Sequence, residues 1–303
     1  MICGIAGVRP GVAPPLKLSG SVPGLWQSLS IGTYIRPMKH CHTPAGRRVA
    51  YRVEGAADHL PLVLLHGFCE DHAVWTPIQD MLKPGKLVLV DMPGFGQSER
   101  PVQPDMAAYA ESLLAVLDTE AIRRCVLVGH SMGGYLALEF AAQWPERLAG
   151  LGLFHSHPFE DSEARKIGRQ REIEALMAGK RDLYVAQLFP NLIGHFFLKN
   201  HAETLQSLVS NGKKQSPEGI ADALQAMMNR RDHQTTLVKA PYPTLFLLGA
   251  QDTVVPLDQA LKAAMLPNVA DLQVLPNAAH MAMHECPEES AAILNSFWEF
   301  CGE

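Results

Sequence analysis

Cys125 to Val128 form an apolar run that leads into Gly129-His130-Ser131-Met132-Gly133, and helix-like text, GYLALEF, follows at once. A serine hydroxyl is a weak nucleophile until a base takes its proton and donors meet the charge that develops on the oxygen of the group it attacks. A buried strand, a sharp turn and a helix start supply part of this. The turn lifts the hydroxyl above the sheet, and the first helical N–H groups carry positive potential. Gly129 and Gly133 suit such a turn because strand and helix backbones there come too close for side chains. The backbone N–H of Met132 is then one candidate oxyanion donor. Gly67, after the apolar run PLVLLH, permits a second sharp turn that points to the Phe68 N–H as the other.

Thirteen histidines compete to be the base. The strongest candidate is His280 in VLPNAAHMAMHECPEE, which lies in a loop between a buried strand and the last helix; His284 is its rival. An acid is needed to hold the imidazole tautomer and stabilise the imidazolium. Asp252 follows the strand PTLFLLG and could reach a histidine on the next loop. Asp91, Glu160 and Asp161 are the other acids near strand ends, and the glycines and proline of DMPGFGQS suit Asp91 to a structural turn. His280 with His284, and His155 with His157, lack an HExxH pattern or a third ligand at metal-site spacing, so no metal or organic cofactor is expected. Cys69 is not presented on a turn like that of Ser131 and reads as a cavity-lining or packed thiol. His155, at a strand end, could face the substrate cavity or make a structural hydrogen bond.

These residues need elements to carry them. PLVLLHG (61–67), KLVLVD (86–91), CVLVG (125–129), LAGLGLFH (148–155), PTLFLLG (243–249) and ADLQVLP (270–276) read as buried strands, alternating with amphipathic helices. HCHTPAGRRVAYRVEG adds two strands around a Pro-Ala-Gly turn. The pattern predicts an α/β fold, a mostly parallel central sheet with helices on both faces. Between 156 and 240 the rhythm breaks into four helix-like stretches without a strand, an inserted all-helical segment over the carboxyl ends of the strands. Residues 1–37 carry Gly, Pro and Ser breakers throughout and read as a disordered extension, with Met38 a second candidate start.

Composition sets the class of partner. The 303 residues are 47% hydrophobic and 19% charged, with a net charge of -5, which gives no basic footprint for nucleic acid. The apolar runs are strand-length, so no membrane span is expected. Six cysteines without framework spacing read as free thiols in a reducing compartment, and a cytoplasmic location follows from that reading. A small molecule with an acyl group is the expected partner; the oligomeric state is left open.

LLHGF (64–68), DMPGFGQS (91–98), GHSMGG (129–134), LLGAQDTVVP (247–256) and NAAH (277–280) occur in this order, and with them the chain resembles the α/β-hydrolase fold superfamily. The resemblance spans 61 to 280. It implies Ser131, Asp252 and His280 as nucleophile, acid and base, and Phe68 and Met132 as oxyanion donors. It also implies a core of 38–155 with 241–303 and a helical cap at 156–240. Ala279 departs from the glycine many relatives place before the histidine. A serine at 131 argues against the dehalogenating and epoxide-opening branches, which use aspartate there. Carboxylesterases, lactonases, thioesterases, amidases and C–C hydrolases share the serine motif, and a few members with this fold only bind ligands. Phe159, Leu188 and Phe196 are candidate pocket residues in the cap. Its apolar side chains point to a small or medium neutral carboxylic ester, with Lys166, Arg169 and Arg171 facing solvent; the alternative is that one of these three meets a substrate carboxylate, as a C–C hydrolase or acid-ester substrate would require.

Overall fold

The computed structural model describes residues 37–55 and 59–303. The expectation for residues 1–37 therefore lies outside the described residues, apart from Pro37. The strands are β1 (Lys39–His42), β2 (Arg48–Gly55), β3 (Leu62–Leu65), β4 (Lys86–Val90), β5 (Cys125–His130), β6 (Leu148–Phe154), β7 (Thr244–Gly249) and β8 (Ala270–Leu275). They form one eight-stranded sheet in the order β1-β2-β4-β3-β5-β6-β7-β8. The β1–β2 and β2–β4 pairs are antiparallel and every later pair is parallel. The β1–β2 turn closes with Gly46 N–H on Thr43 O, and Gly46 takes φ 78°, a conformation that favours glycine.

Parallel neighbours need crossovers, and helices supply them. The helices are α1 (Thr76–Gln79), α2 (Met106–Thr119), α3 (Met132–Gln143), α4 (Glu163–Met177), α5 (Arg181–Leu188) and α6 (His195–Asn200). Then come α7 (Ala202–Gly212), α8 (Pro217–Met228), α9 (Gln234–Val238), α10 (Leu257–Ala264), α11 (Ala282–Glu285) and α12 (Pro287–Gly302). With helices on both sides, β3, β5 and β6 are buried at every residue, which explains their unbroken apolar text. By contrast β8 exposes Ala270, Leu272 and Val274, as the edge strand of the sheet.

The chain from β6 to β7 is helical throughout, as the sequence predicts, but it holds two short helices, α6 and α9, that its periodicity does not reveal. Six and five residues are too few to display a helical period. Within this segment α4 packs along α8. Ser162 caps α4 through Arg165 N–H and Ser216 caps α8 through Gly219 N–H, so both starts were written in the sequence. The carboxyl ends of β5, β6, β7 and β8 lead directly to Ser131, His155, Asp252 and His280.

Candidate active site

Ser131 joins β5 to α3 at φ 51° and ψ -113°, a backbone state that costs on the order of 1–3 kcal/mol for a residue with a side chain. Its surroundings hold it there. Ser131 N–H donates to Phe154 O at 2.9 Å, and Ser131 O accepts from Gly134 N at 3.0 Å and from Ser156 Oγ at 2.8 Å. A Cβ on Gly129 would lie 2.2 Å from Gly133 O, and one on Gly133 would lie 2.6 Å from the carbonyl oxygens of Leu65 and His66. Both glycines are required by close approach, as the sequence predicts.

His280 Nε2 lies 2.8 Å from Ser131 Oγ, and its Nδ1 lies 2.7 Å from Asp252 Oδ2. Asp252 Oδ1 accepts from Val254 N at 2.8 Å and Val255 N at 3.0 Å. Burial pushes the Asp252 carboxyl up, but the charge of His280 and hydrogen bonds from His155 and His280 outweigh it and hold the group well below the usual carboxylate range. The hydroxyl, imidazole and carboxylate named from the sequence are thus brought into one chain of hydrogen bonds. The rival histidine is elsewhere: His284 lines a separate cavity of about 340 Å³, and burial lowers its pKa to about 4. Among the rival acids, Asp91 binds His72 and the Gln97 N–H, and Asp161 binds two arginines.

The loop that carries His280 is fixed from several sides. Glu285 Oε2 accepts from Ala279 N and Met281 N, each at 3.0 Å, and Oε1 accepts from Gly194 N at 2.7 Å. Burial raises the Glu285 pKa despite these donors. His280 N–H donates to Leu192 O at 2.9 Å, which ties the loop to the helical segment. Ala279 is absent from the residues with positive φ, so alanine in place of glycine requires no special backbone.

Phe68 and Ser131 line one cleft, and among the described residues neither the Phe68 N–H nor the Met132 N–H has a recorded acceptor. Beside them lies a pair the sequence reading missed. Glu70 Oε2 accepts from Gly67 N at 2.6 Å and lies 3.2 Å from His130 Nδ1, while His130 Nε2 donates to His280 O at 2.9 Å. Both side chains are buried. Burial pushes the Glu70 carboxyl up, yet the His130 charge outweighs it and the pKa falls; burial pushes His130 down, and Glu70 raises it. Both directions describe an ion pair. The hint was available: His130 precedes Ser131, and Glu70 follows His66-Gly67.

The pocket expectations fare unevenly. Leu188 lines the Ser131 cleft, whose volume is about 150 Å³. His155 does not face it. Its ring is buried with Nδ1 3.0 Å from Asp252 Oδ2, and burial lowers its pKa to about 4, so it supports the acid instead. Cys69 lies on the far side of Glu70 in the 340 Å³ cavity, with burial holding its thiol pKa well above the ordinary value. Phe159 stacks on His157 and lines an adjoining basin of about 510 Å³. Phe196 is 78% exposed: α6 is one and a half turns long, too short to bury both of its phenylalanines, and Phe197 takes the inward position. Arg171 faces solvent, as expected, and the partly exposed Lys166 pairs with Glu163, but Arg169 is only 6% exposed and lines both cleft and basin. Its position corrects the expectation of a solvent-facing charge, because Asp161 draws it inward.

His155, Asp252 and His280 offer ligand atoms within 4.8 Å of one another. A cation there would have to displace the two imidazole Nδ1 contacts to Asp252 Oδ2 that orient His280 toward Ser131. The donor set fits a base and its acid better than a metal. Among the described residues no helix is long and apolar enough to cross a membrane, and five cysteines are free.

The family model described as the alpha/beta hydrolase fold matches residues 61–287. The chain is 30% identical over 252 residues to the dihydrolipoyllysine-residue acetyltransferase component of the acetoin cleaving system of Pseudomonas putida. That match covers 80% of this chain but only 65% of the relative. It is 30% identical over 267 residues to the 2-hydroxy-6-oxononadienedioate/2-hydroxy-6-oxononatrienedioate hydrolase of Burkholderia vietnamiensis, covering 80% of this chain and 87% of that one. A thermophilic esterase from Thermogutta terrifontis, solved with malate bound, superposes with a TM-score of 0.83 at 27% identity, covering 88% of this chain and 100% of that one.

Proposed function

The chain belongs to the α/β-hydrolase fold family, and from that premise we propose that it hydrolyses a small or medium carboxylic ester through an acyl-enzyme at Ser131. The observation that carries this reading is the 2.8 Å contact of Ser131 Oγ with His280 Nε2, continued at 2.7 Å to Asp252. In the proposed reaction His280 takes the hydroxyl proton as Oγ attacks the ester carbonyl carbon, and the carbonyl oxygen becomes an oxyanion between the Phe68 and Met132 N–H groups. The carbon–oxygen bond to the alcohol then breaks, and His280 returns the proton to the departing alkoxide. A water enters, gives its proton to His280 and its hydroxide to the acyl carbon. Collapse releases the acid and restores the serine hydroxyl. Asp252 remains ionised throughout, in keeping with its depressed pKa, and stabilises the imidazolium.

The helical segment between β6 and β7 serves in this reading as a cap, with Leu188 and Leu192 forming the apolar side of the cleft. The same three side chains could act on a carbon–carbon bond, thioester, lactone or amide. The relative named for hydrolysis of dioates lends the first of these some support. A fluorophosphonate probe tests the nucleophile: it should label Ser131, and the label should vanish in Ser131→Ala together with turnover of p-nitrophenyl butyrate. Labelling of another residue with Ser131 untouched would sink the mechanism. Turnover that persists in Ser131→Ala would do the same.

A further inference from the structure

The basin beside the cleft holds two buried guanidinium groups on one carboxylate. Asp161 Oδ2 accepts from Arg169 Nε at 2.5 Å, and its Oδ1 accepts from Arg230 Nη1 at 2.6 Å. Arg230 is held through both its Nε and its Nη1. It also donates to Phe159 O and Met227 O, and its guanidinium stacks 4.0 Å over the Tyr135 ring. Arg169 is not. Only its Nε has an acceptor among the described residues, and its two Nη groups are absent from the sealed polar atoms that lack partners, so they face open space. That space is the junction of cleft and basin, since Arg169, Arg165 and Tyr135 line both.

The charges here do not cancel. Arg165 has Glu172 at 2.7 Å, and Lys262 and Glu160 both sit on the rim. Asp161 alone faces Arg169 and Arg230, which leaves one positive charge in surplus inside the protein. His157, in the same basin, is held neutral by burial and by Arg230, its pKa lowered to about 4, so it adds nothing to the surplus. A buried charge without a counterion is strongly unfavourable, because it has lost its water without gaining a partner. One arginine, Arg230, would suffice to pin Asp161 to the turn that follows α8. The second is held by its Nε, which leaves its Nη edge, the face that binds a carboxylate through two parallel hydrogen bonds, without an acceptor in a residue that lines the cleft of Ser131.

We infer that Arg169 is a receptor for a carboxylate on the substrate, so that the ester this enzyme cleaves carries a second, ionised acid group. The inference rests on the ester reading above and narrows it, in place of the neutral ester that the apolar segment suggests. The carboxylate could sit on the acyl side, as in a half-ester of a dicarboxylic acid, or on the alcohol side, as in an ester of a hydroxy acid. Both present the same group to the same guanidinium.

Matched pairs of esters test this. Mono-p-nitrophenyl glutarate against p-nitrophenyl pentanoate probes the acyl side; the acetate of 4-hydroxybenzoate against that of 4-hydroxybenzamide probes the alcohol side. In one pair the charged member should have the higher kcat/KM, and that preference should fall about 10- to 100-fold in Arg169→Met, the range for a charge-assisted hydrogen bond. Arg169→Lys should keep part of it, and Lys166→Ala should keep all of it. Arg169→Met leaves Asp161 with one arginine, so its melting temperature should hold or rise. Should that variant fail to fold, glutarate should still inhibit the wild-type enzyme competitively where glutaramide does not. A neutral preference in both pairs, a preference that survives Arg169→Met, or equal inhibition by the two additives would overturn the inference. Loss of all turnover in the wild type, or its survival in Ser131→Ala, would instead count against the ester reading.

Discussion

Glu70 and His130 offer a stringent test of how the site is held. His130 has a carbonyl at Nε2 and a carboxylate at Nδ1; the carbonyl can only accept, so Nε2 carries a proton and the pair holds one more shared with Glu70. One carboxylate oxygen, Oε2, serves both His130 and the Gly67 N–H. In Glu70→Gln a single atom must replace it. If oxygen stands there, Gly67 is satisfied but the imidazolium has no counterion. If nitrogen stands there, His130 can be neutral but the Gly67 N–H loses its acceptor. Removing one partner of a buried ion pair costs about 3–5 kcal/mol, and leaving a buried donor unpaired costs about 1–3. Relaxation by proton loss favours the lower figures, so we expect about 3 kcal/mol and a melting temperature lower by about 6–12 °C for a domain of this size.

The pair touches no reacting atom, so its effect on rate passes through backbone. Gly67 precedes the Phe68 N–H, and His130 holds the carbonyl of His280. Glu70→Gln should therefore lower kcat by about tenfold, well short of the loss on deleting an oxyanion donor. A double-mutant cycle with His130→Gln separates pair from parts, and a coupling energy of at least about 2 kcal/mol is expected for buried partners in contact. The pH dependence has two signs. Glu70 has a depressed pKa, so its stabilisation is lost as pH falls below the unfolded carboxylate value. The His130 pKa is raised, so its stabilisation is lost as pH rises through that elevated folded value. The pair should stabilise most between about pH 4.3 and 6.5. Coupling below about 0.5 kcal/mol, with the melting temperature unchanged, would refute the ion-pair argument.

Three further outcomes follow from the same network. His155→Phe removes a donor from Asp252 and also an unpaired buried nitrogen, so kcat should drop about five- to twentyfold with little change in melting temperature, as kinetics and thermal melts would read. Glu285→Ala should lower kcat by an order of magnitude, because the amides on both sides of His280 lose their acceptor; Glu285→Gln, which keeps an oxygen, should recover part of the loss. His155, His157 and His284 are each held neutral by burial with pKa values of about 4, so the unfolded chain binds more protons than the folded one below about pH 6.5. Burial lowers His66 as well, so stability should fall as pH drops from there toward 4, and urea melts should give a pH slope of at least about three protons that shrinks by about one in His157→Phe.

The sheet and the serine turn were legible because their causes are local. An apolar run bounded by breakers is a strand wherever it sits, and Gly129 is demanded by a backbone only four residues away, although Gly133 answers to the carbonyls of Leu65 and His66 at the end of β3. The hydrogen-bonded partners of Ser131 could be anticipated because strand ends in a parallel sheet converge, so a loop position suffices to place His280 and Asp252 near it. The short helices α6 and α9 left no such trace, nor did the fate of Phe196, which turns on how much surface six residues can hide.

The polar contacts that escaped reading have one property in common: their meaning depends on partners brought together by the fold. Arg169 looks like a surface charge on an amphipathic helix until Asp161 and Arg230, eight and sixty-one residues away, are seen to surround it. Glu70 and His130 stand sixty residues apart, and His155 and Asp252 ninety-seven. Such contacts carry no period, because a single charged side chain has no repeat to display. They also decide the properties a reaction motif leaves open. In the proposed reaction the serine turn fixes where an oxygen can attack, through backbone geometry that any acyl substrate would meet. In the proposed recognition a guanidinium lining the same cleft decides which substrate arrives, because the energy of pairing it depends on a charge only some esters possess. Positioning written into neighbouring residues can therefore be read from order alone, whereas discrimination becomes visible only when the fold brings together residues that the sequence keeps apart.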